Sequence, residues 1–175
     1  NSSGVVGHYF TSHPAYAGAS AEFPAFGAKP SLSGPTRPVG FYIPRFRNLL
    51  GQPPSKKFLR GYGFEGDSGV NFNWKAPGYG DAFKKQLLAP QAEISLTGYV
   101  EMLPRLDNFL EIDPVVKDTY GIPVLKLHMA NAENEAAMLK DIEESALEML
   151  EAAGGKNVRA REWPAVPYWA AHEAC

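Results

Sequence analysis

The side chains of this sequence best suited to acid–base or metal chemistry near neutral pH are its four histidines, His8, His13, His128 and His172. His8 and His13 stand five residues apart in a loop-like stretch and could supply half of a metal site. No cysteine or carboxylate pair stands at ligand spacing nearby, so we expect loop histidines bonded to the backbone and no metal site. His128 falls in a predicted strand, where we expect a structural role.

His172 differs from the other three histidines in its surroundings. It follows an apolar, aromatic segment that runs from Trp163 to Trp169. Partial burial there disfavours the charged imidazolium, so a histidine in this place would be neutral and able to accept a proton. Spacing alone nevertheless favours a core histidine over a catalytic one.

A glycine-rich stretch, RGYGFEG at 60–66, matches a dinucleotide-binding signature. Gly61, Gly63 and Gly66 satisfy G-x-G-x-x-G. The mechanism of that signature needs a helix to begin there, so that its N-terminal amides meet the pyrophosphate. Residues 67–80 show no helical period, and we therefore expect no dinucleotide site.

The same stretch also begins like the aromatic strand of an RNA-recognition motif, and residues 41–43 imitate its partner strand. Glu65 stands where that motif has a valine, and Asp67 stands where it has an aromatic side chain. Two acids on a surface meant for phosphates would repel the ligand. We expect no nucleic-acid partner.

Composition limits the class of protein further. The 175 residues are 45% hydrophobic and 21% charged, with a net charge of -2, which fits one globular domain and predicts neither a membrane span nor an anionic partner. Cys175 is the only cysteine, so an internal disulfide is not available. The sequence starts at Asn1 without a methionine or a signal segment, and we expect a piece of a longer chain.

The elements that must position these side chains change character near residue 80. Residues 1–80 contain most of the 17 glycines and 15 prolines, which predicts a loop-rich segment with short strands such as 40–43 and 57–60. Residues 81–175 show regular periods and short connections, which predict antiparallel pairing. The predicted elements are a helix over 81–88, strands over 93–102, 108–112, 123–129 and 157–162, and a long helix that Asn131 or Asn134 caps and that Gly154 and Gly155 end.

The predicted fold class is therefore α+β: an antiparallel sheet with helices packed on one face, preceded by a loop-rich N-terminal segment. On the first predicted strand, Glu93, Ser95, Thr97 and Tyr99 alternate with apolar residues. Period two places these four side chains on one face of a sheet. Whether that face lines a sugar site or meets water stays open at the level of sequence.

Four passages of the sequence carry a family resemblance. They are NSSGVVGHYFTSHP (1–14), GFYIPRFRNL with FLRGYGFEG (40–49 and 58–66), EMLPRLDNFLEIDPVVKDTYGIPVLKLHMANAENEAAM (101–138) and HEAC (172–175). Together they resemble the C-terminal, substrate-binding part of the glucose–methanol–choline (GMC) family of flavin-dependent oxidoreductases, especially bacterial members related to sugar and gluconate dehydrogenases. HEAC resembles the start of H-x-x-G-T-x-R-M-G, the motif that supplies the catalytic histidine of that family.

The resemblance implies a fragment of an FAD-dependent enzyme that oxidises the CH–OH group of an alcohol or sugar. Residues 1–80 would link from a flavin-binding domain, which holds most of the FAD, and residues 81–175 would form the substrate-binding domain. His172 would lie near the flavin and take the hydroxyl proton while hydride passes to the flavin. The fragment alone would be inactive and would expose an apolar face where the flavin domain docks.

A second interpretation comes from a different functional class. The chain could be a self-contained α+β binding or interaction module without chemistry of its own. Such a module needs a well-formed pocket and has no exposed apolar docking face. The cellular compartment stays open between bacterial cytoplasm and periplasm.

Overall fold

The computed structural model describes residues 2–12, 16–26, 40–44, 47–51, 53–54, 57–71, 77–87 and 91–161. In chain order its elements are β1 (Tyr16–Glu22), a 3-10 turn (Pro24–Phe26), β2 (Gly40–Ile43), β3 (Phe64–Asn71), α1 (Gly80–Leu87), β4 (Gln91–Tyr99), β5 (Phe109–Lys117), β6 (Pro123–His128), α2 (Glu133–Ala152) and β7 (Lys156–Ala160). All strand pairs are antiparallel, so the predicted α+β class with antiparallel pairing is confirmed.

Five strands form one sheet in the order β2–β3–β4–β1–β7. The central strand β4 pairs with β3 along one edge and with β1 along the other. Strands β1, β2 and β3 precede residue 80, whereas β4 and β7 follow it. Both compositional parts of the chain therefore contribute to the same sheet.

Helix α2 packs on one face of this sheet and encloses the core with it. Ala17, Ala19 and Ala21 of β1 are buried beneath the helix, and their small side chains allow a close approach. Gly98 of β4 allows the same, because a Cβ atom added there would lie 2.7 Å from Cγ2 of Ile142. The apolar residues of α2 that face the sheet recur at spacings of four, as predicted for an amphipathic helix: Met138, Ile142, Ala146 and Leu150.

The start of α2 differs from the prediction that an asparagine caps it. The N-cap residue is Ala132, and the Glu135 carboxylate accepts the Ala132 backbone N–H at 2.7 Å. Asn134 instead bonds the backbone of Leu59 in both directions. The buried Glu135 thus accepts the N–H group of the N-cap residue, and Asn134 links the helix to the loop that contains Leu59. Among the described helices, none is long and apolar enough to cross a membrane.

The first part of the chain holds more strand than its composition predicts. The predicted strand over 40–43 is confirmed as β2. The predicted strand over 57–60 is wrong, because residues 57–60 are irregular and the strand β3 begins four residues later, at Phe64. Strand β1 was not predicted, since its sequence YAGASAE has no β-branched residue and consists mostly of alanine, glycine and serine, which are not typical of strands.

Strands β5 and β6 form a separate two-stranded hairpin. The predicted strand over 108–112 is longer in the structure, where β5 continues to Lys117. Its pairing is irregular between Ile112 and Lys117, and there Asp113 accepts the backbone N–H groups of Val115 and Val116. At its base the hairpin is joined to the N-terminal segment by hydrogen bonds from Phe10 N to Asn108 O and from Leu110 N to Gly7 O.

The two faces of the hairpin differ sharply in polarity. Direct pairing brings Leu110 opposite Leu127 and Ile112 opposite Leu125, so these four side chains share one face, which we call the apolar hairpin face. Ile112 and Leu125 are 65% and 66% exposed. The other face carries the ionic pair of Glu111 with Lys126.

Candidate functional site

The face of the five-stranded sheet that points away from α2 is lined by polar and aromatic side chains. The four alternating positions of β4 lie on it. Because directly paired residues share a face, the register identifies the other members. This polar face consists of Glu93, Ser95, Thr97 and Tyr99 of β4, Tyr16, Ser20 and Glu22 of β1, Glu65 and Asp67 of β3, Tyr42 of β2 and Arg159 of β7.

One end of the polar face forms a groove of about 430 Å³ between β2, β3 and β4. Two carboxylates stand in it, and each accepts a hydrogen bond from one hydroxyl. Tyr99 donates to Glu65 at 3.2 Å, and Ser95 donates to Asp67 at 2.6 Å. The groove is lined by Tyr42, Glu65, Asp67, Thr97 and Tyr99, together with Gly40, Phe41 and Gly66. The ring of Phe41 lies over Gly66 on the opposite face of the sheet.

Tyr99 stays a hydrogen-bond donor throughout the physiological range. Burial, followed by the negative charge and hydrogen bond of Glu65, raises the pKa of Tyr99 to about 12. The positive charge of Arg161 acts on this pKa in the opposite direction without reversing it. Arg161 also donates to the hydroxyl of Thr97 at 3.5 Å, so its guanidinium lies next to one of the residues that line the groove.

The groove offers several groups suited to binding a polar ligand. Its carboxylates accept hydrogen bonds, its hydroxyls donate and accept them, and its aromatic rings present flat apolar surfaces. Neither a histidine nor a cysteine is present among the described residues that line it.

The histidines fall into two groups. His8 and His128 stack on opposite sides of the Phe109 ring, with ring centroids 4.9 and 4.2 Å away. The carbonyl of Leu106 lies 2.7 Å from His8 Nδ1, and Glu111 lies 2.7 Å from His128 Nε2. These two histidines thus join the hairpin to the N-terminal segment. His13 and His172 lie outside the described residues.

The stretch that resembles a dinucleotide motif lies in a different structural context. Gly66 belongs to β3 and pairs with Phe41, whose ring covers it. A strand, and not a helix, begins within this stretch, at Phe64, so its residues do not fit the pyrophosphate of FAD. Within the described ranges, no group of three or more histidine, cysteine, aspartate or glutamate side chains could hold a metal ion.

A second cavity, of about 630 Å³, lies at the base of the hairpin. Two of the polar side chains that line it, Arg105 and Asn108, bond to neighbouring groups of the protein. Arg105 pairs with the buried Glu135 at 3.1 Å and bonds the Ala130 carbonyl, and Asn108 accepts the Ala130 N–H at 3.0 Å. These bonds hold the hairpin against the start of α2, so we assign this cavity a structural role.

Sequence reasoning singled out two of the residues that line the groove, Thr97 and Tyr99, without deciding whether they form a site. The β4 residues were recognised from their alternation, but Glu65 and Asp67 were treated only as departures from an RNA-binding motif. A usable signal was present, because Phe64, Glu65, Gly66 and Asp67 also alternate with period two. The glycines in this stretch concealed it, since they are uncommon in strands.

Comparison with known proteins does not assign the chain. No protein-family model matches the sequence, and no curated protein matches it.

Proposed function

We propose that this chain is part of an FAD-dependent oxidoreductase of the GMC type and contributes its substrate-binding domain. The substrate is an alcohol or a sugar, oxidised at a CH–OH group. The proposal starts from the four passages of sequence resemblance. One structural observation supports it: the apolar hairpin face.

The apolar hairpin face exposes hydrophobic side chains to water, which is energetically unfavourable. An isolated two-stranded hairpin is marginally stable, and folded proteins seldom leave a contiguous set of leucines and isoleucines exposed. Here the ionic side chains of the hairpin lie on one face, while Leu110, Ile112, Leu125 and Leu127 lie on the other. Exposed apolar residues continue along the hairpin to its turn: Val115, Val116, Tyr120 and Ile122. We propose that the flavin-binding domain packs against the apolar hairpin face and covers it.

The chemistry of the proposal divides between two domains. The flavin supplies the hydride acceptor and is held by the other domain, because the described residues form no pyrophosphate site. His172 takes the proton of the substrate hydroxyl, which increases the electron density on the carbon that loses hydride. The polar groove of the sheet supplies the surface that orients the hydroxyl-bearing substrate.

The alternative, a binding module without catalysis, is favoured by the groove but not by the apolar hairpin face. A self-contained module would be monomeric and would not bind a second domain through its hairpin. The two proposals therefore differ in what the hairpin contacts, and in whether an alcohol reduces a bound flavin.

The test uses the complete protein, with its flavin domain, and a panel of alcohols and sugars under anaerobic conditions. We expect one of these substrates to bleach the absorption band of the oxidised flavin. In His172→Ala, we expect bleaching to slow by about a hundredfold or more while flavin occupancy is unchanged, since a positioned base contributes about 10²–10⁴.

Two results would contradict the proposal. An unchanged bleaching rate in His172→Ala would remove this residue from the catalytic role. A stoichiometric complex of FAD with the 175-residue chain alone would show that the chain has a flavin site of its own, which the proposal excludes.

A further inference from the structure

The cavity at the base of the hairpin contains hydrogen-bond acceptors that its structural bonds do not use. We propose that this cavity binds a small aliphatic primary amine in its charged form, and that Asp107, Asn131 and His128 accept the three N–H groups of the ammonium. The cavity shares no lining residue with the groove of the sheet. The inference goes beyond the proposed function and does not depend on it.

The first step of the argument is that the structural bonds of the cavity leave it open to a cation. Arg105 is the cation of the wall, and its charge is compensated by the buried Glu135 at 3.1 Å. The buried Asn108 has both ends of its amide engaged, since it accepts the Ala130 N–H at 3.0 Å and donates to Met102 Sδ at 3.4 Å. These side chains form a fixed wall that neither repels a cation nor offers it a further acceptor.

The second step is the acceptor capacity of Asp107 and Asn131. Both residues line the cavity, and both are exposed. Within the described ranges, the Asp107 carboxylate forms no ion pair and the Asn131 side chain forms no hydrogen bond. A carboxylate and an amide carbonyl are acceptors suited to an N–H donor. The negative charge of Asp107 favours a cationic ligand over a neutral one.

The third step concerns His128, whose ring and tautomer are fixed by the hairpin. The ring stacks on Phe109 with centroids 4.2 Å apart, and its Nε2 lies 2.7 Å from the Glu111 carboxylate. The hydrogen bond from His128 lowers the pKa of Glu111, so this carboxylate is ionised at neutral pH and accepts the Nε2–H. In a neutral imidazole Nδ1 is then an acceptor, and we assign it to the ligand.

The fourth step separates a primary amine from related ligands. A primary ammonium carries three N–H donors and a positive charge, whereas a hydroxyl has one donor and no charge. A quaternary ammonium keeps the charge but has no donor. Leu127, which also belongs to the apolar hairpin face, and Met129 supply apolar surface for a short alkyl chain. The cavity of about 630 Å³ has room for such a ligand.

The test compares three probes that share one butyl chain: butylammonium, 1-butanol and butyltrimethylammonium. Binding to the 175-residue chain is measured at about pH 8, where an ordinary histidine is neutral and an alkylamine is charged. The signals followed are the carbon-bound protons of the His128 imidazole and the Met129 methyl group in nuclear magnetic resonance spectra. We expect butylammonium to shift both signals, with a dissociation constant about tenfold or more below those of the other two probes, because only butylammonium combines charge with donors.

Two variants test the assigned acceptors, with the Met129 methyl group as the reporter in each. Asp107→Asn keeps the side-chain shape and removes the charge, and we expect it to weaken butylammonium binding about tenfold while 1-butanol binding is unchanged. His128→Phe keeps a ring to stack on Phe109 and removes Nδ1, and we expect a loss of about fivefold. The control is Asp81→Asn, which removes the charge of an exposed aspartate on α1.

Four results would overturn the inference. The first is that 1-butanol or butyltrimethylammonium binds as tightly as butylammonium, and the second is that no probe shifts these signals. The third is that either cavity variant binds butylammonium as tightly as the wild type. The fourth is that Asp81→Asn weakens binding as much as Asp107→Asn, since the net charge of the chain would then be the cause.

Discussion

At the scale of single residues, the most informative feature of the core is a buried polar cluster between α2 and the loop before β3. Asp141 accepts hydrogen bonds from Arg47 at 2.8 Å and from the Tyr62 hydroxyl, and Arg47 also donates to Ser145 at 2.9 Å. Burial by itself raises the pKa of Asp141, but the bonds from Arg47 and Tyr62 outweigh burial and lower it. The cluster ties the irregular segment around residue 47 to the helix.

The lowered pKa of Asp141 predicts a pH dependence of stability. Because the pKa is lower in the folded state than in the unfolded state, ionised Asp141 stabilises the fold above about pH 4, and this contribution is lost as the pH falls through the folded value. We expect Asp141→Asn to lower the free energy of unfolding at pH 7 by about 1–3 kcal/mol and to flatten its decline in acid. Urea unfolding between pH 7 and pH 3 measures both effects.

Asp81→Asn serves as the control for this prediction, because Asp81 is an exposed aspartate on α1 whose nearest cation is 4.0 Å away. It should follow the wild-type curve at every pH. If Asp141→Asn runs parallel to the wild type from pH 7 to pH 3, the cluster does not contribute through the charge of Asp141.

At the scale of elements, the close approach of α2 to the sheet depends in part on the missing side chain at Gly98. Ile142 occupies the space above Gly98, so Gly98→Ala would place a methyl group against it. We expect a loss of about 1–3 kcal/mol in the free energy of unfolding, since added volume in a packed core forces neighbouring groups apart. Gly69→Ala is the matched control in the same sheet, because space around Gly69 is open and its expected change is small and stabilising.

A double-mutant cycle identifies the cause of that loss. Ile142→Ala alone destabilises by removing a buried side chain. Combined with Gly98→Ala, it also removes the clash, so the two losses should sum to more than the double variant shows. Strict additivity would mean that Gly98 is needed for its backbone and not for the space above it.

The elements also show how far sequence reasoning reaches. Strand β4 and helix α2 were predicted because each carries a long period of its own, two or 3.6 residues. Strands β1 and β3 escaped prediction because alanines, serines and glycines give them little local preference, and pairing with β4 over long range decides their conformation. The same limit applies to the groove. The alternation within β4 singled out Thr97 and Tyr99, whereas only the register between β3 and β4 shows that Glu65 and Asp67 lie beside them.

At the scale of the whole molecule, the apolar hairpin face stays exposed to water in the part of the fold that the structure describes, and this exposure is energetically unfavourable. Ile112 and Leu125 contribute little to the folding stability of the 175-residue chain alone, because both side chains are mostly exposed. In a larger protein the same side chains would each contribute about 1.5–3 kcal/mol when another surface covers them. The proposed function therefore predicts that the apolar hairpin face contributes more to stability in the complete protein than in the 175-residue chain alone.

The double variant Ile112→Thr with Leu125→Thr tests that prediction, since threonine suits a strand but covers less apolar surface. In the 175-residue chain, we expect the free energy of unfolding to change by less than about 0.5 kcal/mol per site. In the complete protein, we expect the flavin domain to separate from this domain at a lower urea concentration. Flavin release and tryptophan fluorescence measure this separation. An equal loss in both contexts would mean that these side chains support the hairpin itself. No loss in either would mean that the flavin domain does not dock on this face.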